Sequence, residues 1–283
     1  MMTKEESELL THTGPGTPGG ELLRSYWQPA ALSEQLKPGG DPLAVKLLGQ
    51  ELVLFRDEKG RLGVLDAHCS HRGADLSYGR CEDGGLRCIY HGWLYDVEGN
   101  VLEQPGKPNK GDNRHTIRQP SYPCQEMGCV IFTYLGPGKA PLLPNYEFLL
   151  VPDDQRFVTK LYHECNYLQS NEGNIDPVHL SFLHRNLEQT DSDRKRRVPG
   201  SQTSPNTLFG ADLAPSIDVE VTDFGLRIFT VRNIEDGQIY VRTSNFIMPN
   251  FTAFPGQTAP SGYSVNWHVP IDDTSHWKIR HYL

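Results

Sequence analysis

Cys69-Ser70-His71, followed by Cys88-Ile89-Tyr90-His91, decides how the rest of the chain is read. The pattern is C-x-H, a spacer over residues 72–87, then C-x2-H, with Gly92-Trp93 directly after. Two thiols and two imidazoles in two short loops make a metal site by composition. Structural zinc usually takes C-x2-4-C knuckles, because a short spacer turns both sulfurs back onto one ion. Here each half supplies one Cys and one His. That division suits a two-iron cluster, with both sulfurs on one iron and both imidazoles on the other. A zinc-binding structural module is the competing reading, and it predicts a colourless protein.

Around this motif the composition sets bounds. A length of 283 residues suggests about two domains. Hydrophobic residues make up 37% and charged residues 22%, the balance of a soluble globular chain. No apolar run approaches the ~18 residues of a membrane helix. Met1 to Glu8 is polar and acidic, so it does not read as a secretory signal. A net charge of -8 argues against nucleic acid as the main partner. The one basic run, Arg194-Lys195-Arg196-Arg197, reads as a solvated loop, with a docking patch as the minority reading. Cys81, Cys124, Cys129 and Cys165 have no spacing that suggests a disulfide frame, so reduced thiols in a cytoplasm are expected. Cys81 has no His at either ligand spacing and reads as a bystander.

The order of elements predicts α+β overall, with an all-β region first. Leu43 to Leu48, Glu51 to Arg56 and Leu62 to Asp66 read as strands, and so does Cys129 to Leu135. Tyr95 to Asn100 closes a hairpin. Residues 1–20 read as loop and turn, Glu21 to Trp27 as a short helix, and Gln104 to Arg114 as a loop. Gly136-Pro137-Gly138, then Pro141 and Pro144, put a boundary near residue 140. The expected division is an N-terminal extension over 1–26, a cluster domain over 27–140 and a second domain over 141–283. In that second domain one helix is predicted over 168–185 and a mobile excursion over Ser192 to Asn206. Strands follow at Ile217 to Val221, Leu226 to Ile234, Ile239 to Met248, Tyr263 to Val269 and His276 to Leu283. Asp223-Phe224-Gly225 and Glu235-Asp236-Gly237 read as hairpin turns.

Within the predicted helix lies Asn171-Glu172-Gly173-Asn174-Ile175-Asp176-Pro177-Val178-His179, then His184. The core is D-x2-H-x4-H. At about 100° per residue the three side chains share one face of roughly 140°. Pro177 suits a helix start, with Asp176 as N-cap. Two imidazoles with one further carboxylate make the facial triad that binds non-haem Fe(II). Taken alone, two His five residues apart are more often an ordinary half-buried pair. Downstream of the first motif they read as ligands.

Together the motifs resemble the large (alpha) subunit of the Rieske non-haem iron oxygenases, the aromatic ring-hydroxylating family. Asn171 to His179 and Thr13-Gly14-Pro15-Gly16-Thr17-Pro18 look most like the phthalate dioxygenase-like branch. The resemblance runs from about residue 10 to the end. It implies an all-β Rieske domain, followed by a partial helix-grip antiparallel α+β catalytic domain. It implies that Cys69 and Cys88 hold one cluster iron, His71 and His91 the other, and His179 and His184 the mononuclear Fe(II). It makes Asp176 the electron-transfer bridge to His91 of a neighbouring subunit, hence a homotrimer. Electrons from NAD(P)H would arrive through a reductase carrying flavin and iron–sulfur groups. Oxygen and a small aromatic substrate would meet at the iron, giving dioxygenation, monooxygenation or O-demethylation. The family's third iron ligand is a later carboxylate. The resemblance therefore implies a chain truncated at Leu283, incomplete in its catalytic domain, and Asp272 and Asp273 are not assigned to that role. The rival is a Rieske-type electron carrier without oxygenase chemistry, against which residues 141–283 argue.

Overall fold

The computed structural model describes residues 2–106, 113–185, 205–234, 237–255 and 262–283. The basic run at 194–197, most of the excursion after Ser192, and Glu235 and Asp236 lie outside the described residues. Contacts divide the chain into two compact units. One comprises Met1–Leu150 with Pro270–Asp273; the other comprises Val151–Val269 with Thr274–Leu283.

The first unit is built from short strands. They are β1 (Gln28–Leu32), β2 (Leu43–Leu47), β3 (Gln50–Arg56), β4 (Leu62–Asp66), β5 (Arg80–Glu82), β6 (Gly85–Arg87), β7 (Leu94–Tyr95), β8 (Val101–Glu103), β9 (Cys124–Met127) and β10 (Val130–Thr133). They form three sheets, ordered β1-β10-β9, β2-β3-β4 and β5-β6-β7-β8, all with antiparallel registers. β3 is buried over Leu52 to Phe55, so this middle strand reads as a continuous apolar run rather than an alternation. Its Val53 and Phe55 join Leu65, Leu76, Leu86, Trp93, Tyr95 and Val101 in a core that also contains Cys69 and Cys88.

The N-terminal segment differs from its expected loop. α1 (Lys4–Thr11) starts on a reciprocal cap: Glu6 N–H donates to Thr3 Oγ1 at 3.2 Å, and Thr3 N–H donates to Glu6 Oε2 at 2.7 Å. α2 (Pro18–Arg24) begins three residues before the predicted Glu21, with Thr17 as cap and Pro18 in its first turn. Arg24 is buried and donates to Leu48 O at 2.7 Å and Gln50 Oε1 at 2.9 Å. The boundary expected near residue 140 falls between Leu150 and Val151 in this division. Residues 141–150 pack on the first unit: Trp27 Nε1 donates to Pro141 O at 2.9 Å, and Phe148 and Leu149 of α3 (Glu147–Leu150) are buried. Pro270–Asp273 also belongs here. Lys46 Nζ pairs with Asp272 Oδ2 at 3.0 Å, and Thr13 N–H donates to Asp273 Oδ1 at 2.8 Å.

The second unit is a seven-stranded sheet with few helices. Its strands are β11 (Phe157–His163), β12 (Ser216–Thr222), β13 (Gly225–Asn233), β14 (Ile239–Ile247), β15 (Phe251–Pro255), β16 (Tyr263–Pro270, whose last residue counts with the first unit) and β17 (His276–Tyr282). The order is β11-β17-β16-β15-β14-β13-β12. β12 to β14, β16 and β17 sit where the sequence predicts strands; β11 and β15 are additional. The single helix expected over 168–185 is two pieces, α4 (Tyr167–Ile175) and α5 (Leu180–Leu183), and α6 (Pro205–Phe209) follows. Proline drives the residue before it out of the helical region. Asp176 accordingly has ψ 113° and ends α4 rather than capping a new helix. Among the described residues no helix is long and apolar enough to cross a membrane.

Candidate metal centres

The two loops of the first motif have one backbone plan. Gly73 N–H donates to Cys69 O at 2.8 Å, and Gly92 N–H donates to Cys88 O at 3.0 Å. Cys69 N–H donates to Ala74 O, and Cys88 N–H to Trp93 O. Each loop therefore turns within five residues of its cysteine. Gly73 and Gly92 have φ +68° and +71°, the left-handed region that lets the turn close without a Cβ clash. Both cysteines are buried, whereas His71 is half-buried and His91 exposed. The imidazoles lie edge to face with centroids 4.6 Å apart, and His71 stacks on Trp93 at 4.6 Å.

Side chains flanking these loops brace them. Gln119 Nε2 donates to Asp66 O at 2.8 Å and His68 O at 2.9 Å, while its Oε1 accepts from Ser70 N–H at 2.8 Å. Arg87 Nη1 donates to Gly92 O at 2.9 Å and Glu103 Oε2 at 2.8 Å. Tyr95 Oη lies 3.0 Å from Cys69 Sγ. Burial drives the Tyr95 phenol far up, with Cys69 adding to it, so Tyr95 keeps its proton and would donate it to a Cys69 thiolate. Burial also raises the Cys88 thiol, opposed by the Tyr90 N–H and reinforced by Cys69. Burial, then His91 and Arg72, lowers His71, which keeps it in its neutral, ligating form. Among the described residues, one set of three or more metal donors has all its ligand atoms within 4.8 Å of one another, and it is not this one. Four ligands of one zinc ion would converge more closely than that. Donors spread across a diamond of two irons would not, so the residues fit a 2Fe–2S group. Cys81 pairs with Leu86 in the β5–β6 ladder, and burial pushes its thiol up to about 11.

The second constellation also comes together, but not on one helical face. His179 and His184 occupy the two ends of α5, with ring centroids 5.3 Å apart. Asp176 turns back on this segment: its Oδ1 accepts from Val178 N–H at 2.7 Å, and its Oδ2 lies 3.5 Å from His179 Nδ1. His179 Nδ1 is buried without another partner among the described residues, which leaves Nε2 as the ligating atom if the proton faces Asp176. Burial, then His179 and Arg242, lowers His184, again favouring the neutral imidazole. The donor set therefore fits a mononuclear iron, with His179 and His184 as ligands. Sequence reasoning missed Arg232, fully buried on β13, whose Nη2 donates to Pro177 O at 2.7 Å and Ser181 Oγ at 3.2 Å. It holds the turn from which α5 starts. His179, His184 and Asp176 line a cavity of about 160 Å³, with Arg242, Lys278, Arg280 and Phe254 elsewhere on its wall. Asp272 and Asp273 are engaged by Lys46 and Thr13 instead.

Residues 26–123 match the Rieske 2Fe–2S domain model, and residues 133–281 match the LigXa C-terminal domain-like model, more than half of the chain. This chain belongs to the Rieske oxygenase alpha-subunit family. Its cofactors are accordingly a 2Fe–2S cluster and a mononuclear iron. The chain is 36% identical over 274 residues to a 3-chlorobenzoate-3,4-dioxygenase oxygenase subunit of Comamonas testosteroni, covering 96% of this chain and 62% of that one. It is 36% identical to a phthalate 4,5-dioxygenase oxygenase subunit of Pseudomonas putida, covering 97% and 62%. It is 38% identical to a 5,5'-dehydrodivanillate O-demethylase oxygenase subunit of a Sphingobium species, covering 96% and 61%. The Rieske chain thus spans a little over 60% of the length of these curated relatives. The terminal oxygenase of carbazole 1,9a-dioxygenase from Nocardioides aromaticivorans has the same fold, with TM-score 0.67 at 21% identity over 97% of this chain and 76% of that one.

Proposed function

We propose that this chain carries the two metal centres of an oxygenase component that hydroxylates or O-demethylates an aromatic carboxylate. The observation that carries the reading is the charge of the cavity beside His179 and His184. Arg242, Lys278 and Arg280 line it, and no carboxylate of the described residues forms an ion pair with any of them. Arg242 is buried, and its Nε has no hydrogen-bond partner among the described residues. Uncompensated buried cations are costly, and an anionic ligand relieves that cost. Phe254 puts an aromatic ring in the wall, with Arg242 and Arg280 over it, and a cavity of ~150 Å³ is enough to take up benzene. Three of the relatives are named for aromatic carboxylates, 3-chlorobenzoate, phthalate and dehydrodivanillate, while another, 36% identical, is named for tert-butanol and tert-amyl alcohol.

In this reading Cys69, Cys88, His71 and His91 hold the cluster, and His179 and His184 hold the iron. The iron, when bound, activates oxygen with electrons delivered through the cluster. Asp176 accepts the His179 Nδ1 proton, fixes that tautomer and offers its carboxylate as the bridge to His91 of a neighbouring subunit in a homotrimer. Arg242 and Arg280 orient the substrate carboxylate. Ile89 and Tyr90, exposed beside His91, suit the docking of an electron donor. Solved carbazole 1,9a-dioxygenase neighbours include oxygenase–ferredoxin complexes.

The test compares 3-chlorobenzoate with its uncharged methyl ester, in the native protein and in Arg242→Met. The acid should bind and the ester should not. Arg242→Met should weaken the acid roughly 10- to 100-fold, the loss of one hydrogen bond to a charged group. Equal binding of acid and ester would remove the anionic-substrate reading.

A further inference from the structure

Away from both centres, one group of side chains does converge as the ligands of a single ion would. β11 and β17 run antiparallel, and His163 and His276 stand directly opposite each other at the end of that ladder. Opposed residues bring their side chains within reach of a common partner; here the ring centroids are 4.9 Å apart. Cys165 lies two residues beyond β11, just before Asn166 caps α4. The ligand atoms of His163, Cys165 and His276 all lie within 4.8 Å of one another.

The surroundings prepare these groups for ligation. His276 Nδ1 is 2.8 Å from Cys165 O. A carbonyl oxygen can only accept, so Nδ1 carries the proton and Nε2 presents a lone pair. This is the outer contact that orients metal-binding histidines. Burial, with the Lys278 charge contributing, lowers both His163 and His276 and keeps them neutral. His276 is fully buried, while His163 and Cys165 are half-buried and leave an entrance. One neighbour competes for the His276 Nε2 lone pair: His268 Nδ1, at 3.2 Å. His268 Nε2 lies 2.5 Å from the Asn174 carboxamide. The Asn174 oxygen accepts from Asn266 Nδ2 at 3.2 Å, and Asn266 Oδ1 is buried without a hydrogen-bond partner among the described residues, so rotating both carboxamides together keeps a bond between them, presents the Asn174 oxygen to His268, moves the His268 proton to Nε2 and frees the lone pair of His276.

We propose that His163, Cys165 and His276 form a second metal site, for a borderline-soft divalent ion of the zinc class. One thiolate and two imidazoles are the donors such ions select, with the fourth position left to solvent or a ligand. The ion would tie the edge strand β11 to β17 and to the turn that leads into α4. Asn174 on α4 lines the iron cavity, so occupancy of the new site reaches the cavity wall through His268.

The test uses the full chain with its iron–sulfur cluster loaded and zinc(II) as the probe, read by equilibrium dialysis and zinc-edge X-ray absorption. The expected result is a zinc equivalent with one sulfur and two imidazole neighbours. Cys165→Ser combined with His163→Ala should lose that equivalent and leave the cluster spectrum intact. His179→Ala combined with His184→Ala should keep it, because zinc at the iron site has no sulfur ligand. A shell of nitrogen and oxygen alone in the unaltered protein, a measurement that needs no variant to fold, would overturn the proposal. So would a sulfur-bound zinc that survives loss of Cys165.

Discussion

Replacing Tyr95 by Phe isolates one hydrogen bond to Cys69, a proposed cluster ligand. Tyr95 is fully buried, and its Oη lies 3.0 Å from Cys69 Sγ. The ring of Phe fills the same space, so the packing with Val53, Phe55 and Leu86 survives. A hydrogen bond to a charged acceptor contributes about 1.5–3 kcal/mol. The sulfur carries more negative charge when the cluster is reduced, so the bond favours that state. If about half of its strength differs between the two states, the preference is on the order of 1 kcal/mol. For one electron, a tenfold change in the equilibrium corresponds to both 59 mV and about 1.4 kcal/mol, so the potential should fall by about 40 mV. A redox titration of the loaded protein, followed by visible absorption, measures this directly. A potential that is unchanged or higher in Tyr95→Phe, with the cluster fully loaded, would refute the assignment of Tyr95 as donor to a ligand sulfur.

Other outcomes follow from the same geometry. Arg232→Met removes the bonds to Pro177 O and Ser181 Oγ; it should destabilise the second unit by about 2–3 kcal/mol, and metal analysis should show loss of the mononuclear iron with cluster absorption retained. Asp176→Asn should keep both metals yet slow electron transfer between them in stopped-flow reduction, and normal transfer would rule out the bridge. Asp57 tests the pH response. Burial works to raise its carboxyl, but hydrogen bonds from Arg61 and Lys59 and the Arg61 charge outweigh it and hold it below the usual range. A depressed folded value means the stabilisation is present above the unfolded pKa of about 3.9 and disappears as the pH falls through the folded value. Asp57→Asn should therefore be less stable at neutral pH, with the difference narrowing in acid, as measured by urea midpoints.

The two metal motifs are legible in the sequence because ligand chemistry restricts residue type and spacing. The glycines that close both cluster loops, Gly73 and Gly92, stand in the sequence for the same reason. The braces are not legible. Gln119 reaches Ser70 and Arg232 reaches Pro177, across about fifty residues in each case, and a lone buried Gln or Arg has no local signature. The single helix expected over 168–185 rests on periodicity, yet Pro177 carries the signal that divides it. β11 escapes a reading by alternation because it is an edge strand with no fully buried residue. The cap at Thr3 and Glu6 was visible as T-x-x-E; the scarcity of apolar residues around it masked the helix.

The four residues Pro270–Asp273 give the first unit an unusual dependence. Leu48 N–H donates to Pro270 O at 2.9 Å and Gly49 N–H to Ile271 O at 2.8 Å, beside the Lys46 and Thr13 contacts. An excised fragment stopping at Leu150 would leave those donors to solvent, however complete its cluster ligands. On the ribosome, too, the cluster-bearing half must wait for more than a hundred further residues before its last backbone partners emerge. Ordering of that half is therefore coupled to synthesis of the chain through Asp273.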